Sequence, residues 1–296
     1  MSDEIILMEK PQHNPEKEVF KHYEYVESLE HFLESSGEDT VDVDGILHQL
    51  PSSARLAFEN LKSKGSGRVL DIGSGNGEKA IYLAHKLQEL GINIVVDSIE
   101  PKAEQRDSLA RNYQNENQKF FGTVSEQTLG EIKLDRKYDL ALVIHSLYEF
   151  PRDEEGKILS LDSLGNLVSD QGAGVIVIEH PEGDFQKMKH ELYPAFGKKM
   201  PVSQNVVVES LEAAGVPYKV GDKIEFRFPL DTIINKQEFE IGKAMAFLFS
   251  ESLENQSLTE SNYQAIGQWV KKNVRRDDKS HSYLWTPDIC IWTFRK

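Results

Sequence analysis

The sequence predicts an α/β fold in which a parallel sheet carries helices on both faces. Three observations point to it. Between residues 68 and 179, short apolar strands alternate with amphipathic stretches of helical length, the pattern of successive βαβ units. A cluster of glycines, Gly73, Gly75 and Gly77, stands between the first of these strands and the helix after it. The 296 residues are 39% hydrophobic, enough for a full-size core, which excludes disordered and fibrous classes.

Residues 1–62 read as a helical N-terminal cap. Phe20, Tyr23, Leu29, Phe32 and Leu33 lie on one face at helical spacing, and Ser35-Ser36-Gly37 ends that helix. A second amphipathic pattern over 43–62 is interrupted by Pro51. Residues 68–72 form a buried-type strand. The next helix, over 78–90, has Ala80, Ile81, Ala84, Leu87 and Leu90 as its apolar stripe and Gly91 as its stop. The alternation continues with a strand at 92–99, a helix at 101–115, a short strand at 119–122 and a strong strand at 138–144. A helix over 156–169 and a strand over 174–179 follow. Beyond them come a helix at 204–214, a β-like stretch at 218–228, a mostly helical segment at 231–273 and a last strand at 288–294. The expectation is one domain over 1–296: a cap (1–62), a ligand-binding core (63–229), a helical insertion (230–284) and a closing strand (285–296).

Acidic residues outnumber basic ones 49 to 34, a formal net charge of -15. Such a surface repels nucleic acid and anionic lipid and admits a small cation, although acidity also serves solubility. The single cysteine, Cys290, excludes an internal disulfide. The first residues lack a basic region followed by a long apolar one, and no apolar run approaches the ~20 residues of a membrane span. A cytoplasmic monomer with no membrane partner is expected.

The informative segment is Asp71-Ile-Gly73-Ser74-Gly75-Asn-Gly77-Glu78. Glycines at this spacing let the backbone turn sharply and let a ligand approach the main chain. A dinucleotide fingerprint would space them G-x-G-x-x-G, and the acids Asp71 and Glu78 would crowd a diphosphate. They suit a ligand with a positive centre. Glu100 ends the next strand, in Ser98-Ile-Glu100-Pro101, where a carboxylate accepts hydrogen bonds from both hydroxyls of a ribose. Gln105, about one helical turn later, can reach the ribose or base edge with its amide. Together these residues describe a nucleoside site.

With Asp71-x-Gly73-x-Gly75-x-Gly77 and Glu100, the chain resembles the class I S-adenosylmethionine-dependent methyltransferases. Within them it resembles histamine N-methyltransferase over nearly its full length. The narrower segments are Tyr25-Val-Glu-Ser28 followed by Phe32-Leu33 and Glu38, then Glu100-Pro-x-Ala-Glu-Gln105, and Ile144-His-x-Leu-Tyr148 after a strand. The resemblance implies a Rossmann-like seven-stranded sheet with helices on both faces. It also implies S-adenosyl-L-methionine as cofactor, S-adenosyl-L-homocysteine as product, and no metal. Cofactor contacts would come from Tyr25, Asp71, Gly73, Ser74, Gly75, Glu100, Gln105 and Ile144, with a hydroxyl from Thr123 or Ser125. Glu38 falls where the family holds its cationic amine; read alone, it is a solvated loop acid.

Where the family has an amide and paired tyrosines, this chain has His145, Tyr148 and Glu149. Trp285 or Thr286 stands where an asparagine would close the histamine site, and Phe185 and Met188 replace tryptophans. The expectation is the same reaction on a different acceptor, a small cationic or zwitterionic amine or imidazole-containing metabolite. Glu38, Tyr148, Glu149 and Trp285 would bind it, and His145, with a pKa near neutral, would take its proton beside Glu38. His145 also reads as a hydrogen-bonded structural residue at a strand end, and His180 is a weaker candidate in a similar place. The histidines show no metal-ligand spacing. The alternatives are a methyltransferase acting on a protein side chain or another heteroatom, and a non-catalytic sensor that binds the cofactor.

Overall fold

In a computed structural model, the residues described are 37–116, 118–131, 136–197, 202–228, 230, 233–249, 258–273 and 284–295. The first predicted helix, over 20–33, and Tyr25 within it lie outside them. Two helices precede the sheet, α1 (Glu38–Ser53) and α2 (Arg55–Lys64). The alternating series follows as β1 (Ser66–Ile72), α3 (Glu78–Glu89), β2 (Asn93–Ile99), α4 (Ala103–Asn115), β3 (Phe121–Ser125) and β4 (Tyr138–Ile144). Next come α5 (Leu161–Leu167), β5 (Val168–Glu179), α6 (Asp184–Leu192), α7 (Gln204–Ala214) and β6 (Tyr218–Phe228). The chain ends with α8 (Glu238–Ala244), α9 (Glu260–Asn273) and β7 (Leu284–Thr293).

The seven strands form one sheet in the order β3-β2-β1-β4-β5-β7-β6. The first five are parallel, and β7 inserts antiparallel between β5 and β6. This is the sheet of the class I methyltransferase fold, as expected. Both faces are buried, so β4 reads as an unbroken apolar run. Leu140, Leu142 and Ile144 pack into one core with α1, α2 and α3, while Ala141 and Val143 pack into a second with α5 and α7. Strand order reverses between β1 and β4, which opens a crevice at their carboxyl ends, where ligands of such sheets bind.

Several boundaries differ from the sequence reading. α1 runs through Pro51 to Ser53 and breaks at Ala54 instead. The proline sits in the last turn, and the Leu50 carbonyl still accepts a bond from Ala54 N at 3.0 Å, so the missing N–H costs little. The helix expected over 156–169 is only Leu161–Leu167, and β5 begins six residues earlier than expected, at Val168. A bulge explains it: Tyr138 pairs with Val168 but Leu140 with Ala173, and extra residues hide a strand's two-residue period. β3 lies at Phe121–Ser125 after a 3-10 turn, not at 119–122, and β7 starts at Leu284.

The insertion is helical as expected, but Phe185 and Met188 are core rather than cleft wall. They are buried in a third apolar cluster with Tyr193, Ile241, Met245, Phe249, Ile266 and Trp269. α8 and α9 meet backbone to backbone there: a Cβ on Gly267 would lie 1.9 Å from the Glu238 carbonyl oxygen, and one on Gly242 would lie 1.9 Å from that of Tyr263. Gly267→Ala is therefore expected to force the helices apart and cost about 1–3 kcal/mol. A urea midpoint equal to that of the native chain would refute this.

Candidate functional site

The glycine loop connects β1 to α3 with positive φ at Gly73 (73°), Gly75 (55°) and Gly77 (84°). Gly73 N and Ser74 N both donate to the Ile99 carbonyl, at 2.8 and 3.2 Å, which ties the loop to the end of β2. Gly75 N donates to Glu100 Oε2 at 2.8 Å, and Lys102 N donates to Oε1 at 2.9 Å. A Cβ on Gly75 would meet nothing within 4 Å, so open space lies beside the loop at Gly75. Asp71 is buried at the end of β1. Burial pushes its carboxyl up to about 6, with a bond from Ser74 and the Lys79 charge opposing and the Glu100 charge adding.

Ser125 ends β3 beside Glu100, its carbonyl accepting from Glu100 N at 2.9 Å. Thr123 is committed elsewhere. Its backbone N and Oγ1 donate to Asp97 Oδ1 at 2.8 and 2.9 Å, because it lies two residues short of the strand end. Of the two hydroxyl candidates, Ser125 is the one beside Glu100 at the strand end, its Oγ accepting from Gln127 N at 3.2 Å. Gln105 is half-buried in the first turn of α4, and Ile144 is buried at the end of β4.

Across the loop lies a buried ionic cluster. Ser146 packs against Gly73, where a Cβ would lie 2.3 Å from the Ser146 Cβ, and Ser146 Oγ donates to the Ile72 carbonyl at 2.8 Å. Immediately before it, His145 has φ 50°, a left-handed conformation costing a non-glycine residue about 1–3 kcal/mol that surrounding contacts must offset. Those contacts are carboxylates. His145 Nε2 lies 3.1 Å from Asp288 Oδ2, 3.3 Å from Asp42 Oδ2 and 3.7 Å from Glu38 Oε1. Lys79, on the first turn of α3, reaches the same two α1 oxygens, with Nζ 2.7 Å from Glu38 Oε1 and 2.7 Å from Asp42 Oδ2, and 3.5 Å from Asp39 Oδ1. Tyr148 completes the group, its hydroxyl 3.4 Å from His145 Nδ1 and its ring 4.9 Å from the Lys189 ammonium. That ammonium is paired with Glu179 Oε1 at 2.8 Å.

The charges set one another. Burial alone would lower the His145 pKa, but Asp288, Glu38 and Asp42 outweigh it and hold the imidazole well above its ordinary range. At neutral pH it is an imidazolium, which has no free lone pair. Three carboxylates thus favour the protonated imidazole, which weighs against His145 as a proton acceptor. Burial works against ionisation of Asp42, yet Lys79 and His145 bring its carboxyl down to about 2. Asp288 is pushed upward by burial and by the Asp42 and Glu38 charges, against the pull of His145.

Glu38, Asp42 and His145 offer ligand atoms within 4.8 Å of one another, a set the sequence spacing did not suggest. The Lys79 ammonium already serves two of these ligands as cation. The Glu149, Trp285 and Thr286 side chains lie outside the described residues. His180 is a turn residue whose Nδ1 accepts from Glu182 N at 3.1 Å. Asp42, Lys79 and Asp288 were missed, although each left a trace: Asp42 one helical turn after Glu38, Lys79 just past the glycine loop, and Asp288 as an acid inside an apolar strand.

Among solved structures, the chain is similar to the YcgJ protein of Bacillus subtilis, with a TM-score of 0.52 and 11% identity over 82% of this chain and 99% of that one. N-methyltransferase NodS of Bradyrhizobium japonicum gives 0.43 and 10% identity, over 82% and 94%. Phosphoethanolamine N-methyltransferase 2 of Haemonchus contortus gives 0.46 and 12%, over 81% and 52%. At 11% identity the likeness to YcgJ is one of fold. No family model matches the sequence, and no curated protein matches it. Nothing in these comparisons ties the chain to histamine N-methyltransferase in particular. Among the described residues, no helix is long and apolar enough to cross a membrane.

Proposed function

We propose that the protein is an S-adenosylmethionine-dependent N-methyltransferase acting on a small amine or imidazole-containing metabolite. The carrying observation is Glu100, bonded to the amide of Gly75 beside open space at the carboxyl ends of β1 and β2. A ribose there would find a buried carboxylate acceptor, and the Asp71 and Glu100 side chains suit the positive centre of the cofactor and would repel a diphosphate. Bound there, the cofactor would supply an electrophilic methyl group. The protein's part is position and exclusion of water. Gly73, Ser146 and His145 put the loop and the ionic cluster side by side, so a cationic acceptor drawn to Glu38, Asp42 and Asp288 lies next to the cofactor cleft. A nitrogen near pKa ~6.5 needs little help to present a lone pair, whereas an alkylamine near ~10 must first lose a proton.

The test is incubation with labelled cofactor and a metabolite extract, followed by mass spectrometry of the products. Glu100→Ala is expected to weaken cofactor binding at least tenfold, about 1.4 kcal/mol or more, without changing the circular dichroism spectrum. Unchanged affinity by calorimetry would remove Glu100 from the site. Retained binding with no product from any amine would favour a cofactor-binding sensor.

A further inference from the structure

Two oxygens in the ionic cluster lack donors. Asp42 Oδ1 and Asp288 Oδ1 are buried and have no hydrogen-bond partner among the described residues, and both residues are 0% exposed. A buried acceptor left bare costs about 1–3 kcal/mol, more when charged, so each such atom needs an explanation. The donors that the cluster brings are turned to other atoms. Lys79 Nζ faces Glu38 Oε1, Asp42 Oδ2 and Asp39 Oδ1. His145 Nε2 faces Asp288 Oδ2, and Nδ1 faces the Tyr148 hydroxyl. The two bare oxygens belong to neighbouring carboxyl groups, because the same His145 nitrogen lies 3.3 Å from Asp42 and 3.1 Å from Asp288. Four acidic side chains, Glu38, Asp39, Asp42 and Asp288, stand against two basic ones, Lys79 and His145. What the cluster lacks is a positively charged donor.

We propose that Asp42 and Asp288 anchor an ammonium group of the acceptor, one carrying at least two N–H bonds, hence a protonated primary or secondary amine. The proposal rests on the methyltransferase reading for the anchored molecule being an acceptor, and on the two oxygens for the anchor. A protonated nitrogen has no lone pair, so the atom that receives the methyl is a separate, neutral one. The acceptor is bifunctional: an ammonium to hold and a second heteroatom to methylate.

The test uses the full chain saturated with S-adenosylhomocysteine. Its melting temperature is followed in methyl-, dimethyl-, trimethyl- and tetramethylammonium chloride and in sodium chloride at equal ionic strength. The expected upward shift is clear for methyl- and dimethylammonium, smaller for trimethylammonium with its single N–H, and no greater for tetramethylammonium than for sodium. Asp288→Asn is expected to weaken methylammonium binding about tenfold, the loss of one charge-assisted bond. An equal shift with tetramethylammonium overturns the proposal, as does a larger one with magnesium chloride, which would mark a divalent cation site, or undiminished affinity in Asp288→Asn. If that variant does not fold, the series on the native chain decides alone. Failure of the methyltransferase reading shows separately, as absence of methylated product while the ammonium series keeps its order.

Discussion

Lys79→Met should be the most damaging single substitution in the cluster, lowering stability by about 3–5 kcal/mol, the usual cost of removing one partner from a buried ion pair. Lys79 is only 18% exposed, and its partners Glu38 and Asp42 are 11% and 0% exposed, so water can do little to screen the carboxylates left behind. The pH dependence should also steepen, because the raised pKa values of Asp288 and His145 already make the native chain lose stability as pH rises. In the native chain Asp42 is depressed to about 2, so its contribution is present above the unfolded pKa of ~3.9 and is lost as pH falls towards 2. Without the ammonium, burial weighs on the Asp42 carboxylate with only His145 to oppose it, so its carboxyl rises and its contribution at neutral pH shrinks. Denaturant midpoints at about pH 5 and about pH 8 separate the cases. The midpoint is expected to fall further between about pH 5 and about pH 8 in the variant than in the native chain, and a midpoint equal to the native one at both would show that Lys79 is an incidental neighbour.

Gly73→Val should come next, and it should reach function as well as stability. At φ 73° a β-branched residue pays about 1–3 kcal/mol in backbone strain. Its Cβ would also lie 2.3 Å from the Ser146 Cβ, adding about 1–3 kcal/mol of overpacking. To relieve the clash, the loop must leave Ile99 or Ser146 must leave Ile72, and either shift displaces Gly75 from Glu100. Cofactor binding measured by calorimetry is therefore expected to vanish even where the variant still folds. A variant that folds and binds with native affinity would show that the close approach of loop and Ser146 is dispensable. Gly75→Ala is the informative contrast, because open space surrounds that Cβ position and only the positive φ is at issue.

The glycine loop, β4, α7 and β6 were legible in the sequence because each is governed by local rules: turn chemistry, or apolar patterning over a short window. β5 was less so. Its bulge between Val168 and Ala173 is set by the neighbouring strand, which no window of its own sequence contains. The placement of Asp71, Gly73, Gly75 and Glu100 was readable for the same reason as the loop, since they occupy fixed places at the ends of two successive strands. The acceptor side was not. Glu38 and His145 were singled out by resemblance, but the charge on His145 is set by Asp288, Glu38 and Asp42, contributed by α1 and β7. A histidine's pKa depends on what the fold brings to it, and no window of sequence around His145 contains those carboxylates.

The insertion of β7 between β5 and β6 bears on how the molecule comes into being. The ionic cluster draws on residue 38 from the first helix and residue 288 from the last strand, so nearly the whole chain must be made before it can close. Until then His145 has no Asp288 to hold it, and β5 and β6 have exposed edges waiting for the strand that pairs with both. Such long-range closure is slow to form and leaves the incomplete chain open to association. The ionic cluster is therefore among the last parts of the molecule to exist, closing well after the glycine loop has met Glu100 at the ends of two successive strands.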